Sequence, residues 1–210
     1  MMRIVAIFAF IFVLCAWPHG GSAQVLLNEI LADPGIDWDG GGTVGSRDDE
    51  WLEVVNTGST AVDLSCFRLA DASGGFDWRF GFAGSLGSGE VRVVYGSEAV
   101  AWQRANGFPA FGLSLNNGGD TVFLYDVCGT DTLIADQYTY QGFEVLDDRS
   151  TGRSPDGGAQ WAVFDGLNPY PGSTPPLGTG CTPTPGGLNC LPRVPVEPST
   201  WGAVKELYRN

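Results

Sequence analysis

What most limits the fold of this chain is the spacing of its apolar runs, which are short and end repeatedly at turn residues. Residues 51–56 (WLEVVN) stop at Thr57-Gly58-Ser59. Residues 61–69 alternate through Val62, Leu64 and Cys66 and leave at Asp71. An aromatic run at 78–82 is followed by Gly84-Ser85-Leu86-Gly87-Ser88-Gly89. In EVRVVY (90–95), Val91, Val93 and Tyr95 share one face, because side chains alternate across a strand. Leu113 and Leu115 lead into Asn116-Asn117-Gly118-Gly119, and Asn-Gly supplies the positive φ angles of a tight hairpin. The strands 121–125 and 133–140 follow. No helix-period stripe crosses these segments; the less regular stretch 96–111 has room for one helical turn at 99–104. Regular short strands with turns between them predict a β-sandwich or barrel. With 31 glycines and only 17% charged residues, the composition is that of an all-β exported protein, not a disordered one.

The first connection is unusual. Between the strands beginning at Leu26 and Trp51 lies DWDGGGTVGSRD (37–48). Read as a twelve-position calcium loop, Asp37 stands at position 1 and Asp39 at 3. Gly42 is the turn glycine at 6, Thr43 offers a carbonyl at 7, and Asp48 stands at 12. Ca²⁺ takes six to eight hard oxygen ligands, so alternate carboxylates on a tight loop suit it. Gly41 brings no ligand at position 5, and Asp48 is shorter than the usual Glu. Both changes predict weak binding, about 10⁻⁴–10⁻³ M as in extracellular modules. The plain alternative is a solvated acidic turn.

Residues 1–23 read as a signal peptide: Arg3 ahead of an apolar core at 4–17, then Gly21-Ser22-Ala23 as a small-residue cleavage site. The apolar core is too short for a membrane span, and no later stretch is long enough. Removing 23 of 210 residues leaves 187, one domain and a tail. The net charge of −13 becomes −14 when Arg3 is lost. Such a surface repels nucleic acid and anionic lipid. Once Cys15 is gone, four cysteines remain: Cys66, Cys128, Cys181 and Cys190. An even number in an exported chain favours two disulfides, with three possible pairings. Cys181–Cys190 is favoured because Thr-Pro-Thr-Pro-Gly-Gly turns back easily, which leaves Cys66–Cys128; free buried thiols are the alternative.

Residues 147–171 show no regular pattern, although Arg153, Trp161 and Phe164 are placed to fold back on the sandwich. From residue 173 to 198 prolines and glycines read as an extended linker holding the small disulfide loop. In the tail, 199–210, Trp201, Val204 and Leu207 recur at helical spacing behind a Ser199 or Thr200 cap. A dozen residues form a marginal helix alone, so the tail is expected to dock on its own domain or on a partner.

Taken in order, these residues carry a resemblance. Leu27-Asn28-Glu29-Ile30, Asp33-Pro34 and Asp49-Glu50-Trp51-Leu52-Glu53-Val54-Val55-Asn56 resemble the opening of a bacterial lamin tail domain. Val62-Asp63-Leu64-Ser65 with Phe67, Leu69 and Asp71 fits the next strand. Leu86-Gly87-Ser88-Gly89-Glu90, Leu115-Asn116-Asn117-Gly118-Gly119-Asp120-Thr121-Val122, Arg153-Ser154-Pro155-Asp156-Gly157 and Trp161 continue the pattern. It covers 24–172. The resemblance implies an immunoglobulin-like β-sandwich, a binding or attachment role on a secreted bacterial protein, and a calcium-loop-like insert at 37–48. It implies no catalytic residue.

The only histidine, His19, lies in the signal peptide, so Ser-His-Asp and Cys-His catalysis and histidine-bound zinc are excluded from the mature chain. The only lysine is Lys205, which removes a phosphate loop. Glu29, Glu50 and Glu53 leave a carboxylate glycoside hydrolase open, against the simpler reading of an acidic cluster at a strand edge. Trp38 and Trp78, in loops, offer a carbohydrate-binding alternative; Trp51, Phe80 and Trp161 read as core. The expected function is therefore non-catalytic adhesion or interaction at the cell surface, with a protein or surface polysaccharide as partner.

Overall fold

The computed structural model describes residues 24–72 and 78–191. The signal-peptide reading at 1–23 and the amphipathic tail at 199–210 lie outside them. Eleven strands are described: β1 (Val25–Leu31), β2 (Trp51–Asn56), β3 (Val62–Asp63), β4 (Phe67–Asp71), β5 (Phe80–Gly81), β6 (Ser85–Leu86), β7 (Val91–Tyr95), β8 (Gly119–Asp126), β9 (Leu133–Gln141), β10 (Ser150–Arg153) and β11 (Trp161–Phe164). A five-stranded sheet runs β11-β10-β1-β2-β7 and a four-stranded sheet β5-β4-β8-β9, with a small β3-β6 ribbon beside them. All pairings between these strands are antiparallel. The architecture is an immunoglobulin-like β-sandwich.

The inner faces meet where the alternation says they should. Leu27, Ile30, Leu52, Val54 and Val94 from one sheet pack with Leu69, Phe80, Val122, Leu124 and Tyr140 from the other. The Asn-Gly turn forms without the expected hairpin: the Gly119 amide bonds to the Asn116 carbonyl, but residues 113–115 are not a strand, and β8, which Gly119 (φ 120) opens, pairs with β4 and β9. The single alternating run at 61–69 is broken into β3, a 3-10 turn at Leu64–Cys66, and β4. The Asp63 carboxylate accepts the Ser65 amide and starts that turn. Where one helical turn was expected, a ten-residue helix, α2 (Gly96–Ala105), forms. Its Gln103 is buried, giving and taking hydrogen bonds with Arg79 and Gly112.

Two segments depart further from the sequence reading. Residues 147–171 contain β10 and β11, which complete the five-stranded sheet. These strands are only four residues long; β10 carries Ser, Thr, Gly and Arg, and β11 is a short apolar run, Trp-Ala-Val-Phe, so no apolar alternation announces either. Arg153 fixes them. It donates to the Leu27 carbonyl, the Gly158 carbonyl and Asp136, and lies over the Trp161 ring at 5.0 Å. The expected linker, as far as 191, is not extended into solvent. Cys181 and Asn189 are buried, and Gly178 bridges Val163 of β11. Prolines deny this segment a ladder, yet side-chain and amide bonds hold it on the sheet. Cys66 pairs with Cys128, and Cys181 with Cys190.

The five-stranded sheet is consequently buried on both faces. At one end of its outer face Leu31, Trp51 and Val93 are covered by Trp38 of the acidic loop. At the other, Ala162 and Phe164 are covered by Cys181 and Cys190.

Candidate metal centre

The acidic loop is held from within. Gly40 (φ 73) and Gly42 (φ 89) take left-handed conformations that favour glycine. Their neighbours turn back onto the aspartates: Gly41 N–H donates to Asp39 Oδ1 (2.7 Å) and Gly42 N–H to Asp37 Oδ2 (2.8 Å). The loop closes with one helical turn, α1 (Ser46–Asp49). That turn points Asp49 inward, where it is fully buried. Its Oδ1 accepts the amides of Trp38 (2.7 Å) and Asp39 (3.0 Å), and its Oδ2 that of Gly45 (2.8 Å).

Carboxylate oxygens of Asp37, Asp39 and Asp49 lie within 4.8 Å of one another. Asp37 and Asp39 are therefore brought together as the spacing predicts. Asp48 is not: it turns outward and pairs with Arg47 Nε at 2.9 Å. Asp49, one residue later, takes the third place because the closing turn is helical and rotates consecutive side chains apart. Thr43 is exposed at the loop's tip. The nearest signal in the sequence was the Asp48-Asp49 pair itself, in which the twelve-position frame selects the first member.

The first turn of α2 abuts this cluster. Gly96 N–H donates to the Glu50 carbonyl (2.7 Å), and a Cβ on Gly96 would stand 1.9 Å from the Arg47 carbonyl oxygen, so only glycine permits the approach. The next residue, Ser97, hydrogen-bonds Asp39 and, with the Gly41 amide, holds its carboxyl below the usual carboxylate range. Three converging carboxylates offer the oxygen ligands that a hard cation such as Ca²⁺ takes. A second grouping, Cys66, Asp126 and Cys128, does not fit a metal, because both sulfurs are in a disulfide.

The three glutamates do not form a solvated strand edge. Glu29 and Glu53 are register partners on the outer face of the five-stranded sheet, fully buried beneath the segment 178–191. Burial pushes the Glu29 carboxyl up to about 8 and that of Glu53 up to about 7. Glu50, also pushed up by burial to about 8, lies apart from them and accepts the Leu115 amide (3.1 Å). The loop tryptophans are engaged as well. Trp38 packs on Trp51 with centroids 5.9 Å apart and donates from Nε1 to Asp148 (2.8 Å); Trp78 meets Tyr125 edge-on at 5.4 Å. An open groove of about 620 Å³ lies between the start of β9, the Cys66–Cys128 bridge and Val62, and is lined in part by Leu133 and Ile134.

A family model described as Lamin Tail Domain matches residues 19–142, more than half of the 210-residue chain. The chain belongs to the lamin tail domain family. Its two-sheet antiparallel body is the immunoglobulin-like form of that non-enzymatic domain family. The match ends just after β9, so β10, β11 and the covering segment lie outside the matched residues. No curated protein and no solved structure matches the chain. No helix among the described residues is long and apolar enough to cross a membrane.

Proposed function

We propose that this lamin tail domain protein is exported and works outside the cell as a non-catalytic adhesion or interaction module whose acidic loop is stiffened by Ca²⁺. The observation that carries the metal reading is the convergence of Asp37, Asp39 and Asp49 on one point of a loop that also covers the sheet. The cation offsets repulsion among these carboxylates, and the sequence holds seven acids between Asp33 and Glu53. Two disulfides suit an oxidising compartment.

A protein partner is favoured over a polysaccharide. Leu133 and Ile134, at the start of the edge strand β9, are 61% and 52% exposed beside the open groove. An edge strand with exposed apolar side chains accepts an extended segment of another chain by strand addition. Sugar stacking has less support, because Trp38 and Trp78 already spend ring surface on Trp51 and Tyr125. The test of the metal is thermal unfolding with and without millimolar calcium. The melting temperature should rise with calcium, and Asp37→Ala should abolish the rise. No rise in the wild-type protein removes the metal from the account. A glycan array decides the partner class: reproducible sugar binding lost in Trp38→Ala would reverse that assignment.

A further inference from the structure

The segment 178–191 carries no charged side chain, and none occurs from 166 onward to 191. It nevertheless lies over two buried carboxyl groups, Glu29 of β1 and Glu53 of β2, paired across the sheet on the same face. Two like charges directly opposite each other are unfavourable even on a wet surface, and more so where water is excluded. The other charged groups around them do not neutralise the pair. Asp156, from the β10–β11 connection, accepts from Asn28 Nδ2 (2.8 Å) and from the Asn189 amide. Arg153 of β10 directs its guanidinium to Leu27, Gly158 and Asp136. Asp165, after β11, accepts the amides of Tyr170 and Gly180.

Hydrogen counting places a proton in this site. Thr184 Oγ1 lies 2.9 Å from Glu29 Oε2 and 3.1 Å from Asn189 Oδ1. The Asn189 amide is oriented by its nitrogen, which donates to the carbonyls of Asn28 (3.3 Å) and Arg153 (2.8 Å). Its oxygen therefore faces Thr184 as an acceptor. An ionised Glu29 is also an acceptor, and one hydroxyl has one hydrogen for the two. A neutral Glu29 resolves the conflict: its Oε2–H donates to Thr184 Oγ1, and Thr184 donates on to Asn189. Glu29 Oε1 meanwhile still accepts from Ser150 Oγ and from the Thr184 amide (3.1 Å).

We propose that the disulfide-closed loop Cys181–Cys190 is a latch held by a proton: neutral Glu29 fixes it to the sheet through Thr184 and Asn189, and loss of that proton at alkaline pH lifts it, uncovering Ala162, Phe164 and both glutamates. Burial acts in the same direction as the hydrogen count, raising Glu29 to about 8; Glu53, raised to about 7, gives up its proton first as pH rises. Glu53 holds the neighbouring point of the loop by accepting the Gly186 amide (2.8 Å). Opening exposes an apolar surface at one end of the outer face and leaves the acidic loop at the other end in place.

The test is a pH titration of the full chain with carboxyl-labelled glutamate, following Glu29 Cδ by NMR together with the amide protection of Thr184 and Gly186. Glu29 should titrate above neutrality, and protection at both amides should fall by about tenfold or more over the same range after correction for intrinsic exchange. Glu29→Gln should keep the loop protected at alkaline pH, since its amide can donate to Thr184 and its carbonyl can accept from Ser150. A Glu29 carboxyl titrating near its ordinary 4.5 overturns the latch. So does a folded Glu29→Gln protein that loses protection at the same pH as wild type. If that variant does not fold, the wild-type titration alone gives the answer.

Discussion

Replacing Asp49 by alanine isolates what holds the acidic loop on the sheet. The side chain is fully buried and accepts three backbone amides, from Trp38, Asp39 and Gly45, at 2.7, 3.0 and 2.8 Å. At about 1 kcal/mol net for each hydrogen bond, Asp49→Ala should cost about 3 kcal/mol. The loss extends beyond the loop, because Trp38 is anchored through its own amide to Asp49 and covers Trp51. For a domain of this size each kcal/mol moves the melting temperature by about 2–4 °C, so the variant should melt about 6–12 °C lower. The measurement is thermal or urea unfolding in a chelator, so that no cation contributes. Asp48→Ala is the control: its partner Arg47 is 51% exposed, and a solvent-screened surface ion pair contributes little to stability. Equal stability of the two variants would refute the placement of Asp49 as the loop's internal anchor.

Further expectations follow from the outer face. A Cβ at residue 152 would stand 2.7 Å from the Phe164 ring and 3.1 Å from Asn189 Nδ2, so Gly152→Ala should destabilise by about 1–3 kcal/mol in urea unfolding. Replacing both Cys181 and Cys190 with serine removes a link between residues nine apart, and by loop entropy should cost about 2–3 kcal/mol. Glu53 has a folded-state pKa raised from 4.5 to about 7, so the native state holds its proton more tightly than the unfolded chain does. Its contribution is therefore complete below about pH 4.5 and is lost as pH rises through about 7. Urea midpoints measured across that window should fall, and Glu53→Gln should flatten the fall.

The body of the sandwich was legible in the sequence because its strands obey a period of two and its turns use residues that suit them. Val122 and Leu124 alternate with Thr121 and Phe123, and Asn116-Asn117-Gly118-Gly119 makes the turn that leads into β8. The outer face was not legible. Alternation reports one buried face, whereas Glu29, Glu53 and Trp51 are buried on the other by chain arriving from residues 38 and 178–191. Strands β10 and β11 escaped for a related reason. In β10, Gly152 is small to admit Asn189 and Phe164, and Ser150 is polar to meet Glu29, so no apolar pattern marks it; β11 is a four-residue apolar run with no alternation. At the acidic cluster the spacing located Asp37 and Asp39, whose place depends on glycine turns readable in the string. It chose Asp48 over Asp49 because a fixed frame does not register the helical turn that rotates the final carboxylate inward.

The calcium reading meets its sharpest test in calorimetric titration of the ion into the wild-type protein, Asp48→Ala and Asp49→Asn. Wild type and Asp48→Ala should show the same saturable binding, with a dissociation constant of about 10⁻⁴–10⁻³ M, and Asp49→Asn should weaken it by about tenfold or more. Absence of saturable binding in the wild type, or its loss in Asp48→Ala with Asp49→Asn unaffected, would contradict the site built from Asp37, Asp39 and Asp49.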